Sequence, residues 1–221
     1  MGEIELFYDV VSPYSYLAAF VLSSPELQRA WPGVRVRMRP FFLGGVMKAT
    51  GNQPPALVPA RGKHNLQDLT RQCLMAGLEG VRVPPNFPVN TLLAMRLLTA
   101  IELRADPLLP GRDVALRLWR LSWVEGRDIA DPAVLVGVLL GFGLSGPQAA
   151  ALLARASDDD VKRALAASTQ EAVDRGAYGA PTMFVRPEGA DRPLMVFGSD
   201  RFHHLAHFLR RPWPLPFVSK L

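Results

Sequence analysis

Between Glu3 and Asp9, Ile4, Leu6 and Tyr8 alternate with Glu5 and Phe7, a period-two pattern that predicts a strand ending in a turn. Ser12-Pro13 then opens a helix. Serine is a good N-cap, and the fixed φ of proline suits the first helical position. Tyr14 to Trp31 carries this helix, with a break at Pro25. From Val34 to Phe42 the alternation returns, with Val34, Val36 and Met38 set against Arg35, Arg37 and Arg39. The first 42 residues therefore read β-α-β.

The spacing then changes. A Gly/Pro-rich loop from Thr50 to Pro59 leads into helical segments at His64–Gly77, Val89–Arg104, Arg112–Glu125, Pro132–Leu140, Pro147–Arg155 and Asp158–Arg175. Asp131-Pro132 is a capped start, and Asp158, Asp159 and Asp160 sit where a helix dipole favours acids. Gly176 and Gly179 are stop signals. Short apolar runs at Pro181–Arg186 and Leu194–Phe197 predict two strands joined by a hairpin-like connection. Gly198-Ser199-Asp200 is expected to cap a last helix reaching about Arg210. The order is β-α-β, a helical block, then β-β-α. That is an α/β, thioredoxin-like arrangement with an all-helical insertion between its halves. The expected division is 1–45 with 177–221 for the thioredoxin-like domain and 46–176 for the insertion.

Composition narrows the chemistry. A chain of 221 residues with 49% hydrophobic and 20% charged residues can bury a core. Its one cysteine, Cys73, excludes an internal disulfide framework and a Cys-x-x-Cys redox pair. One Cys and four His do not form a usual structural zinc site, so no metal is expected. The net charge of +5 suits a small anionic ligand, but no stretch is dense enough in Lys and Arg for a nucleic-acid arm. The N-terminus lacks the basic and apolar regions of a secretory signal. The longest apolar run, Ala133–Leu144, is about half of a ~20-residue membrane span. Ser219-Lys220-Leu221 matches the peroxisomal address, so the expected location is peroxisomal in a eukaryotic host and cytoplasmic otherwise.

The stretch Asp9-Val-Val-Ser12-Pro13-Tyr14-Ser15-Tyr16 holds the most chemistry, because it lies at a strand-to-helix turn. A helix N-terminus presents free N–H donors and about half a positive charge, which stabilise an anion. The positions that would be cysteines in Cys-x-x-Cys are Ser12 and Ser15, so the turn cannot form a disulfide. A serine hydroxyl there can instead donate to the thiolate of a bound ligand. Equally, Ser12 can simply cap the helix. In this topology the proline of Gly179-Ala180-Pro181-Thr182 is expected to be cis and to face that turn, leaving the backbone of Ala180 open to an extended peptide.

Five segments, in order, resemble the kappa class of glutathione transferases. They are Leu6-Phe-Tyr-Asp-Val-Val-Ser-Pro-Tyr-Ser15, Gly51-Asn-Gln-Pro-Pro55, Ala94-Met-Arg-Leu-Leu98, Gly176-Ala-Tyr-Gly-Ala-Pro181 and Phe197-Gly-Ser-Asp-Arg201. The Gly51–Pro55 loop points to the kappa class rather than to the related isomerases of 2-hydroxychromene-2-carboxylate. Asp68–Thr91 departs from the vertebrate kappa pattern by looking shorter, and Pro84–Asn90 reads more like the isomerase branch. The resemblance implies that Ser12 holds the glutathione sulfur as thiolate, with Pro13 and Tyr14 lining the turn. It implies that Ala180, before Pro181, pairs its backbone with the cysteinyl part, and that Ser199 and Asp200 hold the γ-glutamyl end. Asn52 and Pro59 are placed on a loop over the glycyl end, with Arg61 or Lys63 meeting the glycyl carboxylate. The implied partners are glutathione, a small electrophile and a second copy in a homodimer.

Other features have plainer readings. Ser199 and Asp200 also read as a helix cap, Asn52 as a turn former, Arg61 and Lys63 as surface cations, and Asp9 as a buried turn acid. His203 and His207 share a helix face at a spacing that metals use, but they lie toward a C-terminus where His is favoured anyway. Cys73 shares an apolar face with Leu66 and Leu69, as a buried inert thiol would, and Trp119 with Trp123 suits core or dimer packing. Three functions stand: a glutathione transferase, with hydroperoxide reduction as a second activity; a glutathione-dependent isomerase of the hydroxychromene type; and a non-catalytic glutathione- or peptide-binding module.

Overall fold

A computed structural model describes residues 1–214, so Ser219-Lys220-Leu221 lies outside the described residues. Strands β1 (Glu3–Tyr8), β2 (Arg35–Pro40), β3 (Thr182–Arg186) and β4 (Leu194–Phe197) form one sheet in the order β2-β1-β3-β4. β1 runs parallel to β2 and antiparallel to β3, and β4 is antiparallel to β3. Leu6 is the common register point, opposite Met38 on one side and Met183 on the other.

Phe7 breaks the polar alternation of β1 because the sheet is covered on both faces. Ile4, Leu6 and Tyr8 join the main core, whereas Phe7 packs with Phe41, Val46 and Phe184 in a second cluster. Glu5 continues that second face as the centre of an ion network. Arg39 reaches Glu5 at 2.9 Å and Glu171 at 2.6 Å, and Arg175 reaches Glu5 at 2.7 Å and Glu171 at 2.8 Å. The guanidinium of Arg175 lies 3.7 Å from the ring centre of Phe184, and that of Arg39 lies 4.8 Å from that of Phe7. Charge and ring contacts together tie β1, β2 and a long helix into one face.

The first helical run splits as expected: α1 (Pro13–Leu22) and α2 (Pro25–Ala30) are separate, with Ser24 capping the second. Between β2 and β3 the chain is helical, and a helix precedes the expected loop. Helix α3 (Leu43–Thr50) fills the stretch between the second strand and the expected loop, to which the spacing assigns no element. Gly44 and Gly45 hide it from a propensity reading. Gly45 also explains its position: a Cβ there would stand 3.2 Å from the Thr169 methyl, so α3 lies close against a later helix. A short 3-10 turn, Pro55–Leu57, follows.

Helix α4 (Pro59–Ala76) begins five residues before the expected His64, with Pro59 in its first turn. Pro59, Arg61 and Lys63 therefore lie on a helix and not on a loop. The remaining helices are α5 (Leu92–Arg104), α6 (Gly111–Trp123), α7 (Pro132–Gly141), α8 (Gly146–Arg155), α9 (Asp159–Asp174) and α10 (Phe202–Leu209). The expected Gly198-Ser199-Asp200 cap is not formed. Arg201 is the N-cap of α10, and the Ser199 side chain bonds elsewhere. Among the described residues no helix is long and apolar enough to cross a membrane.

The network makes a pH prediction. Burial pushes the Glu171 carboxyl up, but its bonds to Arg39 and Arg175 outweigh this and hold it below the ordinary glutamate value of 4.5. A carboxyl lowered in the folded state stabilises above its unfolded value, and that contribution is lost as pH falls through the folded one. Denaturant midpoints measured against pH should show wild type and Glu171→Gln converging below about pH 4.5 and separated, with wild type more stable, near neutrality.

Candidate functional site

The turn between β1 and α1 is built on Asp9. This fully buried carboxylate accepts hydrogen bonds from Val11 N at 3.0 Å, Thr91 Oγ1 at 2.7 Å and Leu43 N at 2.9 Å. Burial pushes its carboxyl up and those three bonds oppose the shift. Both carboxylate oxygens have donors, so Asp9 is the buried turn acid of the plainer reading and fastens the turn to the starts of α3 and α5.

Ser12 is the N-cap of α1. Its Oγ accepts from Ser15 N at 3.1 Å and donates to the Ala180 carbonyl at 3.3 Å, across 168 residues of chain. Its own carbonyl accepts from Tyr16 N and from the indole Nε1 of Trp119, each at 3.1 Å. Trp119 is fully buried and stacks on Tyr16 with an interplanar angle of 10°. Tyr14 donates its hydroxyl to the Asn65 carbonyl on α4 at 2.9 Å. Burial, with added repulsion from Asp68, Cys73 and Asp200, pushes the Tyr14 phenol up to about 12. It is therefore a neutral donor at physiological pH.

The Ala180–Pro181 bond is cis. Its loop is held at three points. Asn52 Nδ2 donates to the Tyr178 carbonyl at 2.6 Å, Thr182 Oγ1 donates to the Gly179 carbonyl at 2.8 Å, and Gly198 N donates to the Pro181 carbonyl at 3.0 Å. Gly198 has φ +93°, and a Cβ there would fall 2.8 Å from Asp200 Oδ1, so the bend into Ser199-Asp200 requires glycine. Ser199 is buried and donates to Gln72 Oε1 at 3.0 Å, while Asp200 pairs with Arg201 at 2.8 Å.

Ser12, Ala180 and Pro181 thus share one end of the central strands, Asn52 braces the segment before Ala180, and Tyr14 and Ser199 both reach α4. Arg61 and Lys63 are exposed near the start of α4 and make no ion pair among the described residues. Sequence reasoning missed Trp119 as the support of the Ser12 carbonyl, and Gln72, Asn65 and Thr91 altogether. Only the aromatic pair with Trp123 drew notice to Trp119, and Trp123 turns out to meet Phe87 instead. Among the described residues no cluster of three or more His, Cys, Asp or Glu side chains is arranged to hold a metal.

Two outcomes check this account. Asp9→Ala leaves two backbone N–H groups and the Thr91 hydroxyl without their acceptor, and should cost about 3 kcal/mol in chemical denaturation. Cys73 is buried, and burial pushes its thiol up to about 11. At pH 8 roughly one thiol in a thousand is ionised, so a disulfide reagent should label native protein only as fast as the chain opens.

The sequence matches the DSBA-like thioredoxin domain family over residues 3–210. It is 35% identical over 221 residues to glutathione S-transferase kappa 1 of Caenorhabditis elegans, covering 98% of this chain and 94% of that one. It is 36% identical over 222 residues to glutathione S-transferase kappa 1 of Rattus norvegicus, covering 96% and 94%. Among solved structures, 2-hydroxychromene-2-carboxylate isomerase superposes with a TM-score of 0.76 at 21% identity over 93% of each chain, a likeness of fold. With near-complete coverage by relatives above 30% identity, and a fold that agrees, the chain belongs to the kappa-class glutathione S-transferase family of DSBA-like thioredoxin proteins.

Proposed function

We propose that the protein is a glutathione transferase that binds the tripeptide between the N-terminus of α1 and the segment before Pro181. Its kappa-class membership supports this reading, and so does one observation in particular. The Ser12 hydroxyl, accepting from Ser15 N at 3.1 Å, spends its proton on the Ala180 carbonyl at a long 3.3 Å. The bond received from Ser15 polarises the hydroxyl and makes it a better donor. A thiolate is a stronger acceptor than a peptide carbonyl, so the proton turns to an arriving sulfur while the cap bond stays in place. The α1 dipole adds to the effect.

The thiolate then attacks a small electrophile. A sulfur lone pair forms the new S–C bond and the leaving group departs with its electron pair. The same thiolate serves hydroperoxide reduction, in which two glutathiones become the disulfide while the peroxide yields alcohol and water. In this reading Pro13 and Tyr14 line the thiol end and the Ala180 backbone meets the cysteinyl residue. Ser199 and Asp200 hold the γ-glutamyl end. Asn52 and Pro59 lie toward the glycyl end, whose carboxylate pairs with Arg61 or Lys63. Two copies form the working dimer.

The Pro84–Asn90 segment favours a second reading, an isomerase of the hydroxychromene type that uses the same thiolate transiently and regenerates glutathione. Conjugation of glutathione to a chloronitroaromatic, followed by absorbance, tests the first. Ser12→Ala should lower the rate on the order of 10²–10³-fold. Equal rates for the two proteins would end the Ser12 assignment. Turnover of a hydroxychromene carboxylate with no net loss of glutathione would favour the isomerase.

A further inference from the structure

The outer edge of β2 carries backbone groups that the fold itself does not pair. Arg35 N donates to the Gly2 carbonyl at 2.9 Å and Phe41 N to the Tyr8 carbonyl at 3.1 Å, so the odd-numbered residues of β2 bond inward to β1. The even-numbered ones turn outward. Pro40 has no N–H to offer there, and its carbonyl accepts from Ser168 Oγ on α9 at 2.7 Å. Val36 and Met38 each turn out an N–H and a C=O that meet no partner among the described residues. Met38 is buried, where unpaired backbone groups are costly. Both residues line a cleft of about 580 Å³ between β2 and the segment from Ile101 to Arg112. Leu22, Ile101 and Leu109 give it apolar walls, and Glu102 lies on its α5 side without an ion pair among the described residues. Leu22 ends α1, about 15 Å along that helix from Ser12, so the cleft is remote from the turn that holds Ser12.

We propose that this edge takes an extended acidic segment of a partner protein as a further strand, hydrogen-bonded to the outward groups of Val36 and Met38. An antiparallel guest sets two residues opposite Val36 and Met38, with their side chains on the same face, in the cleft. The guest residues between and beside those two lie opposite Arg37 and Arg35, on the other face. Both arginines are exposed and make no ion pair among the described residues. Acids opposite them supply the missing charge, whereas an acid turned into the cleft would meet Glu102. The guest therefore alternates apolar and acidic residues. A second copy of this chain is a poor guest, because β2 paired with itself about Arg37 would set Arg37 against Arg37 and Arg35 against Arg39. The inference stands apart from the glutathione reading.

Fluorescence anisotropy of the labelled peptide acetyl-Glu-Val-Glu-Val-Glu-Val-amide, titrated with the full chain, tests this. The peptide should bind below millimolar concentration, and its lysine counterpart, with Lys in place of each Glu, at least about ten-fold more weakly. In the expected register the valine amides face β2 and the glutamate amides face solvent. N-methylation of the valines should weaken binding about ten-fold or more, and N-methylation of the glutamates should change it little. Arg37→Glu, at an exposed position, should reverse the order of the acidic and lysine peptides. Equal binding of the two methylated peptides leaves charge attraction alone and overturns the inference. An order unchanged by Arg37→Glu places the contact elsewhere and overturns it too, as does no binding of the acidic peptide at millimolar concentration. Light scattering covers the remaining occupant: if the peptide binds only as a dimer dissociates, the edge belongs to a second copy and the inference fails.

Discussion

Antiparallel pairing of β1 with β3 at the centre of the sheet sets the whole arrangement. Phe7 lies opposite Thr182, so the chain leaving β1 and the chain entering β3 must meet at one end of the two strands. No alternative register is open, because a one-residue slip would move Ile4 and Leu6 out of the main core and Glu5 into it. From that pairing follows the meeting of Ser12 with Ala180, 168 residues apart. The Asp9 carboxylate then fixes the height of the turn, and the Trp119 indole fixes its carbonyl side. The hydroxyl that faces Ala180 is aimed by groups from the α1, α3, α5 and α6 regions of the chain.

The helical insertion does more than cover the sheet. Helix α9 delivers the chain to the segment before Pro181, and the Glu5–Arg39–Glu171–Arg175 network holds its last turn against β1 and β2. Helix α4 is different in kind. Its buried side chains are Leu69 and Cys73 alone, so little apolar area holds it. Hydrogen bonds to Tyr14 and Ser199 do the rest. An element with few buried apolar contacts opens at low free-energy cost. In the proposed function, that suits a helix beside the site of tripeptide binding.

The parts of this architecture written in local chemistry were legible in the sequence. Ser12-Pro13 marked the start of α1, Asp131-Pro132 that of α7, and the alternation in β1 and β2 gave the first half of the sheet. The cis bond at Pro181 followed from topology and is present. What failed depended on distant partners. Gly44-Gly45 concealed α3, whose place is set by Thr169 on α9. Ser199 looked like a cap but bonds to Gln72, which is 127 residues away. Asp9 and Thr91, and Trp119 with the Ser12 carbonyl, are likewise pairs that no spacing rule connects. Side-chain hydrogen bonds across the fold leave no period in a sequence.

The account reduces to a claim about a proton: the hydroxyl at the head of α1 gives its hydrogen bond to a ligand's sulfur and keeps that sulfur ionised. The ultraviolet absorbance of thiolate, followed against pH with glutathione bound, reads this directly. The account predicts a bound thiol pKa at least about one unit below that of free glutathione, which a helix N-terminus and a donor together supply. A bound thiol that ionises at the same pH as the free tripeptide would contradict it.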